Sequence, residues 1–347
     1  MNRLLPLLAL MFCLPLMAQQ APLPITSYDY ALPENNVSPI AIGMGALNVT
    51  YQGDFYASYS NPALLGNNQY SAFVTSFRLA NNDNLSFWQA TQLSNALREK
   101  QFKYFSLLTK QAAWTYQPVA SVHISEFNAA MDSSRYYDYQ LDKVQISLAG
   151  KDESWQKISA GLNLKYLTGR LVYLREHKVG TMMVRDAFID DKVKGFSTDL
   201  GLTLQEGNFI FGVVAYDLFS RLYWENYSSK RIQNRMALGV QYSGETLILT
   251  GGVQGKLSKA TDTTYHFGLQ NTWTWNAPSS SYQNTATQSL VLRLGLYSHD
   301  FYGTNNINFT FGTGYNYNIF RFDFSLNNQG MRIRDSEYLF SLGVGLP

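Results

Sequence analysis

Apolar residues occupy every second position through most of the C-terminal half of this chain. Leu290, Leu292, Leu294 and Leu296 alternate with a set that includes Ser289, Arg293 and Gly295. Ile307, Phe309, Phe311 and Tyr315 oppose Asn308, Thr310, Gly312 and Gly314. Phe320, Phe322, Phe324 and Leu326 oppose Arg321, Asp323 and Ser325, and the chain closes with Tyr338, Phe340, Leu342, Val344 and Leu346 around Ser341, Gly343 and Gly345. A period of two puts one set on each face of a β-strand. Few folds accommodate so many strands of this kind in series.

The polar set decides between them. A soluble β-sandwich also alternates, but its outer face carries Lys and Glu as an ordinary protein surface does. Here the polar positions are Ser, Thr, Asn, Gln and Gly, and the apolar positions are rich in aromatic residues. The chain has 24 Tyr and 21 Phe and is only 15% charged. Its mean hydropathy is slightly negative, -0.19. A membrane protein that is not hydrophobic on average is a transmembrane barrel, in which half of each strand faces a polar lumen.

Strands are expected near 70–79, 102–110, 112–124, 138–150, 156–170, 196–205, 208–217, 233–242, 246–257, 264–275, 288–297, 306–315, 319–327 and 337–346. Many run about ten residues, enough to cross a bilayer at a tilt. Short turns follow on one rim, at Lys110-Gln111, Glu206-Gly207, Ser243-Gly244-Glu245 and Asn316-Tyr317-Asn318. Longer connections follow on the other, at 80–101, 125–137, 171–195, 218–232 and 328–336. Short periplasmic turns and longer surface loops are a barrel pattern. Joints 276–287 and 258–263 depart from it, the first too long and the second short. The expectation is an all-β, antiparallel transmembrane barrel of about fourteen strands over 70–347.

Residues 1–18 read as an export leader. Arg3 is the basic start, Leu4 to Leu16 the apolar core, and Leu16-Met17-Ala18 the small-residue end. The core is too short to span a bilayer as a helix, which takes about 20 residues. Cys13 is the only cysteine, and bulky Phe12 precedes it where lipoprotein leaders carry a small residue. The mature chain is therefore expected to hold no disulfide and no Cys-based metal site. The net charge of +2, without a basic stripe, argues against nucleic acid as a partner.

Residues 19–69 alternate poorly. They contain Ala41-Ile42-Gly43-Met44-Gly45-Ala46-Leu47, then Asp54, then Tyr59-Ser60-Asn61-Pro62-Ala63-Leu64-Leu65-Gly66. The first piece brushes a dinucleotide fingerprint, but Asn48 stands at the third glycine and no strand–helix unit follows. Gly43 and Gly45 permit close packing or positive φ. Asn61-Pro62 reads as a turn, because the residue before proline is pushed out of the helical region.

Gly43-Met44-Gly45, an acidic residue, an aromatic and then Asn61-Pro62-Ala63 leading into a barrel resembles the FadL-like outer-membrane family. That family includes fatty-acid importers and the PorV and PorQ proteins of the type IX secretion system. The C-terminal stretches Leu292-Arg293-Leu294-Gly295-Leu296, Phe311-Gly312-Thr313-Gly314-Tyr315 and Arg321-Phe322-Asp323-Phe324 resemble the PorV-like members, as does the chain length. The resemblance implies fourteen strands, the N-terminal segment folded inside as a plug, and residence in a bacterial outer membrane among lipid and lipopolysaccharide. Pro347 departs from the terminal aromatic of barrel-assembly signals.

Catalytic chemistry finds no foothold. His123, His177, His266 and His299 are not spaced as metal pairs, and no serine–histidine signature is present. His123 and His266 fall on the polar face, where lumenal hydrogen bonding is expected, and His299-Asp300 reads as solvated. Asp190-Asp191, among Arg175, Arg185, Lys192 and Lys194, reads as a solvated loop with cation or lipopolysaccharide contact as the sharper alternative. No enzyme, cofactor or metal is expected.

Two features point to transport or partner binding. Ala90, Leu93, Ala96 and Leu97 form a helical stripe in the 80–101 connection, fit to cover the barrel mouth or dock a partner. Pro118 interrupts a strand, removing a ladder hydrogen bond, and is expected to mark a kink or gap. In the importers an inward kink of the third strand opens a side exit toward lipid, so Pro118 is the candidate lateral opening. The expected function is a PorV- or PorQ-type barrel handling exported proteins or secretion partners. The alternative is an importer of hydrophobic small molecules, of the long-chain fatty-acid type, by lateral diffusion. The plug and the scarcity of charged rings weaken a simple porin.

Overall fold

The computed structural model describes residues 36–68, 70–79, 100–128, 132–151, 157–257, 259–278, 285–298, 307–328 and 336–346. The expected leader and the stripe bearing Leu93 and Leu97 lie outside the described residues. Before the sheet come α1 (Pro39–Gly43), α2 (Ala57–Ser60) and a 3-10 helix, η1 (Pro62–Asn67). The first strands are β1 (Ser71–Leu79), β2 (Lys100–Leu108), β3 (Ala112–Phe127), β4 (Ser133–Lys151) and β5 (Ile158–Val179). Next are β6 (Met182–Glu206), β7 (Phe209–Tyr216), β8 (Arg221–Trp224), β9 (Arg235–Ser243) and β10 (Leu247–Lys256). The last are β11 (Lys259–Pro278), β12 (Thr285–Ser298), β13 (Ile307–Tyr317), β14 (Phe320–Asn328) and β15 (Ser336–Leu346).

Fourteen of these strands close on themselves. Each pairs antiparallel with its sequence neighbour, and β1 returns to β15 from Ser71↔Leu346 to Leu79↔Tyr338. β7 pairs directly with β9, while the short β8 continues the line of β7 along β6, pairing with Val193–Phe196. Closure satisfies the main chain where a bilayer offers no hydrogen-bond partner. The chain is an all-β transmembrane barrel of the expected strand number.

The outward set forms the belt. On β6, Leu204, Leu202, Leu200 and Phe196 are exposed, bounded by Glu206 on one rim and Lys194 on the other. Twelve residue steps separate those charges, about 40 Å of strand and about 30 Å of height at a 40° tilt. Tyr166, Phe196 and Tyr223 girdle the far rim; Trp273, Trp275, Tyr317 and Phe320 girdle the near rim. The near-rim turns are short as expected, and positive φ at Gly207 and Asn318 makes two of them tight.

Several connections prove to be strand. The expected loops 125–137 and 171–195 are mostly the ends of β3, β4, β5 and β6, with only Gly180-Thr181 between β5 and β6. There β5 and β6 run 22 and 25 residues and stand far beyond the belt. Asp190-Asp191 is therefore not a loop: Asp190 faces out in an ion pair with Arg170 (2.7 Å), and Asp191 faces in and accepts from Asn226. In the long joint 276–287, β11 runs on to Pro278 and β12 begins at Thr285, with 279–284 outside the described residues, and 259–263 is the start of β11. The 218–232 connection contains β8. His123 is not lumenal, because a bulge between Pro118 and Ala120 flips the later part of β3, setting His123 outside against the ring of Tyr136.

Leu200→Arg, at mid-belt, is expected to lower barrel stability in lipid vesicles by about 2–4 kcal/mol. Met182→Arg, beyond the belt, is expected to shift it by less than about 0.5 kcal/mol. Urea unfolding of the two variants measures the difference.

Candidate functional site

The interior is built on a track of glycines. Inward positions of β5 through β13, except in the short β8, carry Gly161, Gly201, Gly212, Gly239, Gly252, Gly268, Gly295 and Gly312. Each meets the segment between Gly43 and Ala63. A methyl group at Gly295 would overlap the amide nitrogen of Gly45, and one at Gly212 the carbonyl oxygen of Val49. At Gly268 it would lie 2.5 Å from the Met44 carbonyl oxygen. Only hydrogen fits where two backbones approach this closely.

Wall side chains then satisfy the segment's main chain, which buried backbone requires. Gln145 Nε2 and Asn163 Nδ2 both donate to the Ser58 carbonyl, at 2.7 and 3.0 Å. Ser159 Oγ donates to Ala63 O (2.6 Å) and Tyr216 OH to Ser60 O (2.5 Å). Gly45, at φ +85°, is clamped from two sides: its N–H donates to Thr310 Oγ1 (3.1 Å), and its carbonyl accepts from His266 Nδ1 (2.6 Å). A carbonyl only accepts, so that nitrogen carries the proton. Asn61 starts η1 by accepting from the Ala63 N–H (3.1 Å) and donates to Val49 O (2.9 Å), with Pro62 in the first helical turn. Gly43, Gly45, Asn61, Pro62 and Ala63 thus meet the wall or bind the segment to itself. A cavity of about 10 Å³ beside Leu47, Val49 and His266 has room for one water at most.

Two buried ionic groups flank the segment. Arg293, 0% exposed, donates from Nη1 to Asp323 (2.8 Å) and from Nε to Gln270 (2.8 Å). Arg321 holds the other Asp323 oxygen (2.8 Å) and lies 5.4 Å from the ring centre of Phe55. On the opposite side Lys165 bridges Asp199 (2.6 Å) and Asp217 (3.0 Å). Burial pushes the carboxyl of Asp54, within the segment, up to about 6, with the Arg321 guanidinium pulling the other way.

Above Lys143 and Lys165 the inner face changes character. Toward the near rim it reads Ser147, Gln145 and Lys143 on β4; beyond come Leu141 and Tyr139. On β5, Asn163 and Lys165 give way to Leu167 and Leu171, and on β6, Asp199 and Ser197 give way to Val193. These residues pack with Ala120, Leu222, Trp224 and Ile232 into one apolar cluster. The trace in the sequence is Leu171-Val172-Tyr173-Leu174, where alternation collapses because both faces are apolar.

Pro118 sits beside this cluster. β2 pairs with β3 over four positions, Phe105↔Tyr116 to Leu108↔Ala113. Beyond them β2 continues along β1 to Lys100, whereas β3 continues along β4 to Phe127 past the bulge at Val119. Among the described residues, the ladder between β2 and β3 ends two residues before Pro118, level with the far edge of the belt.

Gly295→Val is expected to displace the segment and expose it to protease in detergent micelles, while Gly150→Val, at a position with open space, leaves it protected. The Asp54 pKa lies above its ordinary 3.8 in the fold, so the folded state holds that proton more tightly. Its contribution is present below about pH 4 and is lost as pH rises to about 6, on the order of 3 kcal/mol. Protection of the segment is expected to fall over that window, and this part of the fall to vanish in Asp54→Asn.

No family model and no curated protein matches this sequence. Solved structures do match. The Ralstonia pickettii toluene transporter TbuX aligns at 12% identity over 90% of this chain and 97% of that one, with a TM-score of 0.52. The CymD monoaromatic hydrocarbon channel aligns at 11% over 91% and 98%, with a TM-score of 0.53. The Pseudomonas putida toluene transporter TodX aligns at 12% over 89% and 96%, with a TM-score of 0.51. The chain shares the barrel fold of these transporters and channels.

Proposed function

We propose that the protein is a bacterial outer-membrane channel for small hydrophobic molecules, which enter at the far rim and leave sideways into the bilayer. One observation carries this reading: the inner face turns apolar beyond Lys143 and Lys165, and that lining reaches Ala120, two residues from Pro118. An aqueous pore has no use for Leu141, Leu167 and Val193 facing inward, because a polar lumen is what lets water and solutes pass. An apolar solute gains by leaving water for such a lining. At Pro118 it meets the place where β3 leaves β2, which we take as the lateral opening.

The segment from Gly43 to Ala63 acts in this reading as a plug that blocks the straight path to the near rim. β8 extends the wall beside the lining: it continues the line of β7 along β6, and its Leu222 and Trp224 are buried in the cluster. An entering ligand takes the place of these side chains. The fold shared with toluene and hydrocarbon transporters favours this reading over PorV- or PorQ-type handling of exported proteins. A cleaved leader over residues 1–18 fits the proposed location.

Liposomes loaded with the purified protein test the route. Radiolabelled toluene is expected to equilibrate faster than in empty liposomes, and glucose no faster. Pro118→Val, which restores a ladder donor, and Trp224→Glu, which charges the lining, are each expected to slow toluene about tenfold. Rapid glucose entry, or toluene uptake unchanged in both variants, would count against the proposal.

A further inference from the structure

The far-rim extension of β5 and β6 leaves a strand edge uncovered. β8 occupies the side of β6 away from β5 at Val193–Phe196, and its chain peels off where Glu225 N donates to Lys192 O (3.1 Å) and Asn226 turns onto Asp191. Among the described residues no strand pairs with that side from Met182 to Asp190. Thr198 and Lys192 direct their carbonyls to it, so by alternation Asp190 and Phe188 direct theirs there as well. The edge carries exposed apolar side chains, with Met182 71% and Phe188 54% exposed. A long edge of this kind is a template for one more strand.

Its charges select the partner. Asp190 is held by Arg170, and Asp186 lies against His177 (2.5 Å) and Arg175 (3.6 Å). Arg185, Lys192 and Lys194 are in no ion pair among the described residues. Two copies in one membrane carry β6 in the same direction. They would meet at this edge only as parallel strands, the weaker pairing, with their cations brought together. We infer that the free edge of β6 from Met182 to Asp190, continuing the line of β8, is a docking site for an extended acidic segment of another protein, bound as an antiparallel β-strand. Main-chain bonds hold such a segment, its apolar side chains lie with Ile189 on the inner face, and its carboxylates lie on the outer face with the cations, where Arg185 already stacks on Phe188.

A fluorescent ten-residue peptide of alternating valine and glutamate, titrated into the protein in detergent micelles, tests this. Saturable binding is expected, lost when alternate peptide nitrogens are methylated and at least tenfold weaker for a valine–lysine peptide. Phe188→Pro removes an N–H directed to the free edge and is expected to abolish binding. Arg185→Glu combined with Lys192→Glu and Lys194→Glu, which leaves the backbone intact, is expected to weaken it at least tenfold. Three results overturn the inference: no saturable binding up to about 1 mM, binding indifferent to N-methylation and to Phe188→Pro, or Asp190→Cys linking two copies through the same edge.

Discussion

The interior depends on backbone meeting backbone. The segment from Gly43 to Ala63 lies so near the wall that eight strands present hydrogen where a side chain would otherwise stand. At that level the polar inner residues are buried, and Gln145, Asn163, Ser159 and His266 take the segment's carbonyls as partners. Arg293, Asp323 and Arg321 close the opposite side with one bidentate carboxylate between two guanidiniums. Such a group is costly to break once buried, which favours a fixed segment.

What remains of the interior is set by the strands that rise above the segment. β4, β5 and β6 continue beyond the belt, and their inner faces turn apolar only where the segment ends. The apolar cluster, the bulge at Val119 and the end of the β2–β3 ladder therefore fall together. Each has a local cause: Pro118 lacks a donor, β8 lays Leu222 over Gly195, and Gly169 lets Leu141 approach.

Much of the wall was legible as a period of two. Strands such as 196–205 and 319–327 alternate cleanly because lipid lies on one side and polar lumen on the other. The extension at 171–195 was misread for the same reason: outside the belt neither solvent differs, and Leu171 to Leu174 are apolar on both faces. His123 was set on the wrong face by one extra residue at the bulge, since a single insertion inverts everything after it. Asn61 and Pro62 were visible as a turn, but the Arg293–Asp323 pair depends on which strands are neighbours. The glycines could be seen on the polar face; that they form a track requires the register.

The central claim is that apolar molecules occupy the apolar lining beyond the segment, where Leu141, Leu167 and Trp224 meet. Crystals soaked in bromobenzene test it through the anomalous signal of bromine. The account predicts bromine inside the barrel, against Leu141, Leu167 and Trp224, with Trp224 moved from its place. Bromine confined to the outer belt, with the lining unchanged, would contradict it.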